Sequence, residues 1–292
     1  MNKEFNKGLL LAGFGSFWWG FFGVLYFKYI TFIGYIELVI HRCLWTTLTL
    51  ILTTFFFSKW DIFFKTIKIK INLIYLLISG FLIFINWGVW IYAIATNRII
   101  DASFGYFIMP ILSVLLGYIF FKEKLNNKRV FSITLVILSI LYLIFVSLKS
   151  LPWVGIIVAL SWGFYNLVRK KINVDTDIGL LIESLFILPF AIIVFYMIAA
   201  KGYNDFSLSD PSMMLIILLA GPMTVIPLFL YVRGVELCGL GPTGMIFYIT
   251  PTLQFLLGFF YYDEVFSFNK LVSFIIIWIA VIIYLRDLYE TN

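Results

Sequence analysis

The segment PILSVLLG at residues 110–117 recurs 141 positions later as PTLQFLLG at residues 251–258. After each copy the chain runs through apolar and aromatic residues to a charged pair, which ends in Glu123 in the first copy and in Glu264 in the second. Internal duplication in a membrane chain is typical of transporters built from repeats, which hold their substrate between the halves near the bilayer midplane. The duplication therefore predicts two related halves with a site between them.

The composition predicts that the chain lies in a membrane. Of its 292 residues, 63% are hydrophobic and 12% are charged, and the mean hydropathy is +1.04. In soluble domains about a quarter of the residues are charged. At about 20 residues for each span, this length accommodates a set of helices with short loops and no separate soluble domain. No small-residue cleavage site follows the first apolar run, so that a cleavable signal is not expected.

The hydropathy of the chain predicts ten transmembrane helices. They cover residues 8–28, 34–57, 71–94, 99–121, 129–147, 151–169, 177–199, 212–233, 241–262 and 268–287. Because five is an odd number, the second half must enter the membrane from the opposite face. The predicted fold is all-α, with two inverted five-helix repeats at residues 1–148 and 149–292. Gly80 and Gly221 stand at the same offset as the repeated segment.

The basic residues predict the orientation of the chain. Most of the 21 Lys and Arg residues fall in loops that share one face when the N-terminus is cytoplasmic, which is the positive-inside pattern. Both termini are therefore predicted to be cytoplasmic. The net charge of +6 is interpreted as an orientation signal and as contact with lipid headgroups, so that no nucleic-acid partner is expected.

The sequence offers no support for cofactor or metal chemistry. The chain has one histidine and two cysteines, without metal-ligand spacing, and it contains no Walker or dinucleotide-binding pattern. Cys43 and Cys238 are interpreted as small apolar residues. We therefore expect no metal, no cofactor and no ATP-driven pump.

Ionisable residues inside the predicted helices are hypotheses for function, because a charge at the bilayer centre costs about 2.5–3.5 kcal/mol on insertion scales. Glu37 and His41 are four positions apart and share one helix face. Since histidine titrates closest to neutrality, this pair could carry a coupling proton. A structural hydrogen bond or ion pair that fixes the second helix is the alternative, and both stay open.

Two further charged residues lie in the same pair of corresponding helices. Arg42 projects from a different side of its helix than Glu37 does, and it is interpreted as a structural partner of a carboxylate or of backbone carbonyl groups in another helix. Glu183 lies near the start of its helix, where the positive helix terminus favours an acid. It could equally face the cavity opposite Glu37, and neither alternative is excluded.

Aromatic and amide side chains at helical spacing predict a binding cavity. Most of the aromatic residues, which make up 20% of the chain, are expected to face lipid or to anchor helix ends. Asn86 with Trp90, and Trp162 with Asn166, each place an amide and an indole on one helix face. Packing between helices is the alternative for any single aromatic residue, but buried amides need partners that lipid cannot supply. The predicted substrate-binding residues are Trp19, Glu37, Asn86, Trp90, Tyr106, Trp162, Asn166, Glu183 and Tyr248.

Several segments resemble a known family. NWGVWIYA at residues 86–93, ASFGYFIMP at 102–110 and YITPTLQFLLG at 248–258 resemble the RarD-type permeases of the EamA branch of the drug/metabolite transporter superfamily. The resemblance covers essentially the whole chain. It implies a ten-helix inverted-repeat permease of the inner membrane, with a central cavity walled by the first four helices of each half. Met109 departs from the pattern, in which an asparagine is expected before the proline.

Together these observations predict a secondary-active transporter of a small organic solute that works by alternating access. An organic cation, amine or zwitterion is the predicted substrate, because aromatic faces attract cations and because Glu37 and Glu183 could supply countercharge. Export of neutral amphiphilic compounds such as chloramphenicol is the alternative. An integral-membrane enzyme is less favoured, since no cluster of acids and bases gathers at one interface. The expected partners are the solute and the lipid bilayer, with the chain acting as a monomer or a homodimer.

Overall fold

The computed structural model describes residues 3–96, 99–147, 153–206, 211–261 and 268–291, and within these ranges the chain consists of helices joined by short turns. The helices of the first half are α1 (Lys3–Trp18), a π-helical turn (Trp19–Gly23), α2 (Val24–Tyr29), α3 (Tyr35–Phe56), the short α4 (Trp60–Ile67), α5 (Lys70–Ala95), α6 (Ile99–Phe121) and α7 (Asn127–Ser147). The helices of the second half are α8 (Trp153–Lys171), α9 (Thr176–Ala200), α10 (Pro211–Leu218), α11 (Ala220–Cys238), α12 (Leu240–Ile246), α13 (Ile249–Tyr261) and α14 (Phe268–Thr291).

The helices show that the chain is an all-α, multi-pass membrane protein. Seven stretches of the described residues are long and apolar enough to cross a membrane, and they are Lys3–Tyr29, Tyr35–Phe56, Lys70–Ala93, Asn127–Val146, Thr176–Ala200, Pro211–Cys238 and Leu271–Glu290. Gly105–Phe121 is a shorter apolar helix. Helices also occupy the other two predicted spans, as α8 and as α12 with α13. The count of ten crossings and the direction of the termini stay predictions.

Helices of one half pack mainly against helices of the other. Three contacts join corresponding helices, namely α3 with α9, α6 with α12 and α7 with α14. The contact of α1 with α11 is matched by that of α5 with α8, which is the same pairing with the halves exchanged. Likewise, the contact of α6 with α8 is matched by that of α1 with α12. A two-fold relation between the halves requires this pattern.

Two serine hydrogen bonds between α7 and α14 follow the same exchange. Ser132 Oγ donates to the carbonyl oxygen of Ala280 at 2.5 Å, and Ser139 Oγ donates to the carbonyl oxygen of Ser273 at 2.9 Å. The offset of 141 carries position 132 onto 273 and position 139 onto 280. The two bonds thus join equivalent pairs of positions with the halves exchanged, although the donor hydroxyl belongs to α7 in both. The predicted boundary between residues 148 and 149 lies outside the described residues.

The repeated glycines Gly80 and Gly221 occupy equivalent close crossings. A Cβ atom on Gly80 of α5 would lie 3.1 Å from the carbonyl oxygen of Glu183 in α9. A Cβ atom on Gly221 of α11 would overlap the carbonyl oxygen of Trp45 in α3. Small residues at such crossings let membrane helices approach closely, so these two contacts fix the central helices of one half against those of the other.

Candidate functional site

A narrow cavity lies between the two halves, where the π-helical turn faces the break between α12 and α13. The residues that line it are Trp19, Gly23, Phe27, Arg42, Asn86, Trp87, Trp90, Tyr106, Trp162, Phe247, Thr250 and Gln254. Its free volume is about 40 Å³, which has room for a few water molecules at most. The structure therefore shows a contracted conformation, and a larger solute requires the walls to separate.

Irregular helix segments form two of the cavity walls. Trp19 begins the π-helical turn, and turns of this kind inside α-helices occur frequently at functional sites. On the opposite wall α12 ends at Ile246 and α13 begins at Ile249. Thr250 Oγ1, at the start of α13, donates to the carbonyl oxygen of Ser16 in α1 at 2.8 Å, so the helices that adjoin the two irregular segments are joined directly.

Aromatic rings from both halves meet at this point. The rings of Trp19 and Trp162, both predicted as substrate-binding residues, have centroids 5.0 Å apart in an edge-to-face arrangement. Tyr231 and Phe247 contact each other at 5.3 Å, and Tyr231 also contacts Trp162 at 5.5 Å. Such ring pairs contribute about 0.5–1.5 kcal/mol beyond their buried area, so they stabilise the contracted state.

Five of the nine predicted binding residues line the cavity, and they are Trp19, Asn86, Trp90, Tyr106 and Trp162. The side chain of Asn86 has the partners that its burial requires. Its Nδ2 donates to the carbonyl oxygen of Val158 at 3.0 Å and to Ser161 Oγ at 3.1 Å. These bonds join α5 to α8.

Tyr248 and Asn166 are buried outside the cavity. Tyr248 O–H donates to the carbonyl oxygen of Phe107 at 2.9 Å and belongs to the apolar cluster between α7 and α14. Asn166 Nδ2 donates to the carbonyl oxygen of Trp162, one turn earlier in its own helix, at 2.8 Å. Both side chains therefore bind backbone carbonyl groups at or next to lining residues, namely that of Trp162 and that of Phe107, which follows Tyr106.

Glu37 and His41 contact each other, but neither lines the cavity in this conformation. His41 Nε2 lies 3.4 Å from Glu37 Oε1. Glu37 Oε2 accepts from the backbone N–H of Asp205 at 2.7 Å, and Glu37 Oε1 accepts from that of Phe206 at 3.0 Å. The His41 ring packs against Phe206, with centroids 4.7 Å apart. The pair thus binds the start of α3 to the segment after α9.

Glu183 is likewise outside the cavity, in a buried polar cluster. Ser79 Oγ donates to its Oε1 at 2.5 Å, and Tyr165 O–H donates to its Oε2 at 3.2 Å. Arg169 Nε lies 3.5 Å from Glu183 Oε1. The carboxylate is therefore held by groups from α5 and α8, and it does not line the cavity.

Arg42 is the charged residue that lines the cavity, and the predicted binding set did not include it. Its guanidinium carbon lies 4.7 Å from the ring centroid of Phe27 and 4.6 Å from that of Trp87. Each such contact contributes about 0.5–2 kcal/mol. Arg42 Nε donates to Thr224 Oγ1 in α11 at 3.0 Å. Its charge inside a predicted helix was the sequence signal, and the prediction of a purely structural role with a carboxylate or carbonyl partner did not anticipate its place in the lining.

Charged groups also join the two halves at the end of the bundle opposite Glu37. Glu123 accepts from the backbone N–H groups of Leu240 at 2.8 Å and Gly241 at 2.9 Å, which caps the start of α12. Lys59 Nζ lies 2.7 Å from Asp177 Oδ2 and 3.4 Å from Asp175 Oδ1.

The cluster of Lys59, Asp175 and Asp177 shifts the pKa values of Lys59 and Asp175. Burial lowers the pKa of Lys59, but the hydrogen bond and charge of Asp177, together with Asp175, raise it more, so it lies above the ordinary value. The hydrogen bond with Asp177, and then burial, raise the pKa of Asp175 more than Lys59 lowers it. Within the described ranges no group of three or more His, Cys, Asp and Glu residues could hold a metal ion.

Comparisons with known proteins agree with this architecture. The model of the EamA-like transporter family matches residues 6–145 and again residues 150–286. An uncharacterized transporter of Vibrio cholerae is 33% identical over 285 residues, which cover 98% of this chain and 94% of that protein. Protein RarD of Escherichia coli K12 is 32% identical over 290 residues, covering 99% of this chain and 97% of that protein. One solved crystal structure superposes with a TM-score of 0.70 at 13% identity, covering 95% of this chain and 96% of the other. The likeness to that structure shows the fold alone.

Proposed function

The chain belongs to the EamA-like transporter family, in its RarD-type branch, and from this premise we propose that it carries a small organic solute across the inner membrane by secondary-active alternating access. It is a membrane transporter and not an enzyme, as the family is one of transporters and the Vibrio cholerae relative is named a transporter. The observation that carries the proposal is the narrow cavity between the halves, lined by aromatic and polar side chains from both.

Alternating access is supported by closures at both ends of the bundle. Near one end the Glu37 carboxylate binds the backbone of residues 205 and 206, and near the other Glu123 binds the start of α12. Each contact joins the first half to the second, so each must break when that end opens. The solute reaches the cavity only after one of them has been released.

Proton coupling is proposed to act through the first of these closures. A carboxylate accepts two backbone hydrogen bonds through separate oxygens at Glu37, whereas the protonated acid turns one oxygen into a donor. Protonation of Glu37 therefore weakens this closure, with His41 as the adjacent group that can exchange the proton. In this proposal the proton controls opening and does not contact the solute.

The positions of the carboxylates change which solutes are favoured. Glu37 and Glu183 were expected to supply countercharge to a cation, but both bind partners outside the cavity. The charge at the cavity is that of Arg42. Among the three substrate classes expected from the sequence, the zwitterion fits this lining best. Neutral amphiphiles such as chloramphenicol are the second candidate, because aromatic rings form most of the walls.

Transport by the purified chain in liposomes tests the proposal. Radiolabelled amino acids, organic acids, amines and chloramphenicol are supplied with and without a proton gradient and in the absence of ATP. We expect saturable uptake of at least one solute, together with exchange against unlabelled solute on the other side. Uptake that rises linearly with concentration would indicate a channel, and a requirement for ATP would contradict secondary transport.

A further inference from the structure

Arg42 differs from the other buried arginines of the described residues. Arg129 Nε lies 2.8 Å from Asp287 Oδ2, and Arg169 Nε lies 3.5 Å from Glu183 Oε1. Arg42 is 4% exposed, and among the Asp and Glu side chains that the structure describes, the ion pairs formed with buried arginines are those of Arg129 and Arg169 and not of Arg42. A guanidinium keeps its positive charge inside a protein. Arg42 therefore brings a charge to the cavity that the described part of the chain does not compensate.

The surroundings of Arg42 are suited to an added anion. Its contacts are the hydrogen bond from Nε to Thr224 and the ring faces of Phe27, Trp87 and Trp90. Ring faces attract the positive charge. They are not strong hydrogen-bond acceptors, however, and a guanidinium has five N–H donors. A carboxylate fits this fork with two parallel hydrogen bonds.

The rest of the lining indicates what the carboxylate is attached to. Indole and phenyl rings form most of the walls, and Thr250 and Gln254 add uncharged polar groups from the second half. Among the described residues that line the cavity none is acidic, so an ammonium group would find no countercharge there. The lining therefore suits an apolar or aromatic body that carries one acidic group.

We propose that Arg42 binds the carboxylate group of the transported solute and that the aromatic walls bind its apolar part. The solute class is a small organic acid, in which an amino group is tolerated but not recognised. This inference rests on the proposed transport function, because the site is the cavity between the halves. An inorganic anion shares the charge but lacks the apolar body, and the experiment separates the two.

Binding of four matched probes to the purified full-length chain tests the charge preference. Phenylacetate, phenylacetamide, phenethylamine and phenylalanine share a phenyl ring and differ in charge. Binding is measured by quenching of tryptophan fluorescence, since four tryptophans line the cavity, and by thermal stabilisation. Phenylacetate should bind about tenfold or more tighter than phenylacetamide, as charged hydrogen bonds exceed neutral ones. Phenethylamine should bind weakest. Equal binding of the acid and the amide, or tightest binding of the amine, overturns the proposal.

Variants then assign the preference to Arg42. Arg42→Gln should reduce phenylacetate binding about tenfold or more and leave phenylacetamide binding nearly unchanged. Arg42→Lys should give an intermediate loss, because lysine keeps the charge without the planar fork. Thr224→Val removes the hydrogen bond that holds Arg42 but leaves the charge, and it should preserve the order of the probes. An equal loss for acid and amide in Arg42→Gln would make Arg42 a purely structural residue. The comparison of probes on the unchanged chain decides the proposal even if Arg42→Gln does not fold.

Two further results separate the possible failures. If inorganic phosphate or chloride displaces phenylacetate at similar concentration and stabilises the chain equally, the site binds any anion and the organic-acid assignment is wrong. If phenylacetate binds with the expected preference but no organic acid is carried into liposomes, the secondary-transport function fails while the carboxylate site stands. If transport occurs with no dependence on solute charge, the function stands and the carboxylate site fails.

Discussion

The hydrogen bonds of Glu123 give a direct measure of how firmly the start of α12 is held. The two carboxylate oxygens accept separate bonds, Oε1 from Leu240 at 2.8 Å and Oε2 from Gly241 at 2.9 Å. In Glu123→Gln one oxygen becomes an amide NH₂, which cannot accept, so one bond is lost and the other becomes neutral. A charge-assisted bond contributes about 1.5–3 kcal/mol and a neutral one about 0.5–1.5, so replacing two charge-assisted bonds by one neutral bond should weaken the closure by at least about 1.5 kcal/mol.

Hydrogen exchange of the full-length chain in detergent measures this loss at the affected amides. Since about 1.36 kcal/mol corresponds to a factor of ten, exchange in the peptide containing Leu240 and Gly241 should become at least about tenfold faster in Glu123→Gln. Glu290→Gln is the matched control, because it makes the same charge change at an acid that is paired on the surface with Lys128 and Arg286. Unchanged exchange in Glu123→Gln, or an equal increase in the control, would refute the role assigned to this carboxylate.

Three further outcomes are expected. Gly221→Ala should lower the thermal midpoint, because its Cβ would overlap the backbone carbonyl of Trp45. Gly88→Ala is the control and should be neutral or stabilise by about 0.5–1 kcal/mol, since nothing lies within 4 Å of a Cβ there. Equal shifts of the two midpoints would contradict the close crossing at Gly221. Glu37→Gln should remove the pH dependence of transport while the chain still folds, and an unaltered pH profile in liposomes would leave Glu37 a structural role only. Lys124→Cys and Asn269→Cys should react with an impermeant maleimide from opposite faces of the membrane, and labelling from the same face would exclude the inverted repeat.

The hydropathy of the chain predicted the helices well, because a long apolar run in a membrane has few alternatives to a helix. The lining of the cavity was predicted in part. Spacing shows which side chains share a helix face, as with Asn86 and Trp90, but not toward which neighbour that face is turned. Asn166 shares a face with Trp162 by spacing, yet its amide bonds back to its own helix.

The π-helical turn explains another part of the difference. One extra residue in the turn at Trp19–Gly23 rotates all later side chains of that helix relative to regular 3.6-residue periodicity. Phe27 of α2 reaches the cavity beyond this turn. A sequence argument that assumes a regular helix leaves out this rotation, and nothing in the sequence marks Phe27 among the 33 phenylalanines as one of the rings beside Arg42.

The partners of the buried acids were also beyond sequence reasoning. Glu37 binds the backbone of residues 205 and 206, and Glu183 binds Ser79. These partners come from segments far along the chain and include backbone N–H groups, which every residue but proline carries. No pattern of residue types marks such an acceptor site. Because the sequence does not show these partners, Glu37 and Glu183 were expected at the cavity. Among the described lining residues the structure has only the charge of Arg42 there.

The different side chains at positions 42 and 183 bear on the energetics of the transport cycle. Two identical inverted halves would exchange the inward-open and outward-open states by a simple rotation, and the empty carrier would then populate both equally. Arg42 faces the cavity, while Glu183 is paired with Arg169 and does not line the cavity, so rotation does not restore the same arrangement. The empty carrier therefore has an intrinsic preference for one of the two states, and a bound solute shifts this population only by the difference between its affinities for them.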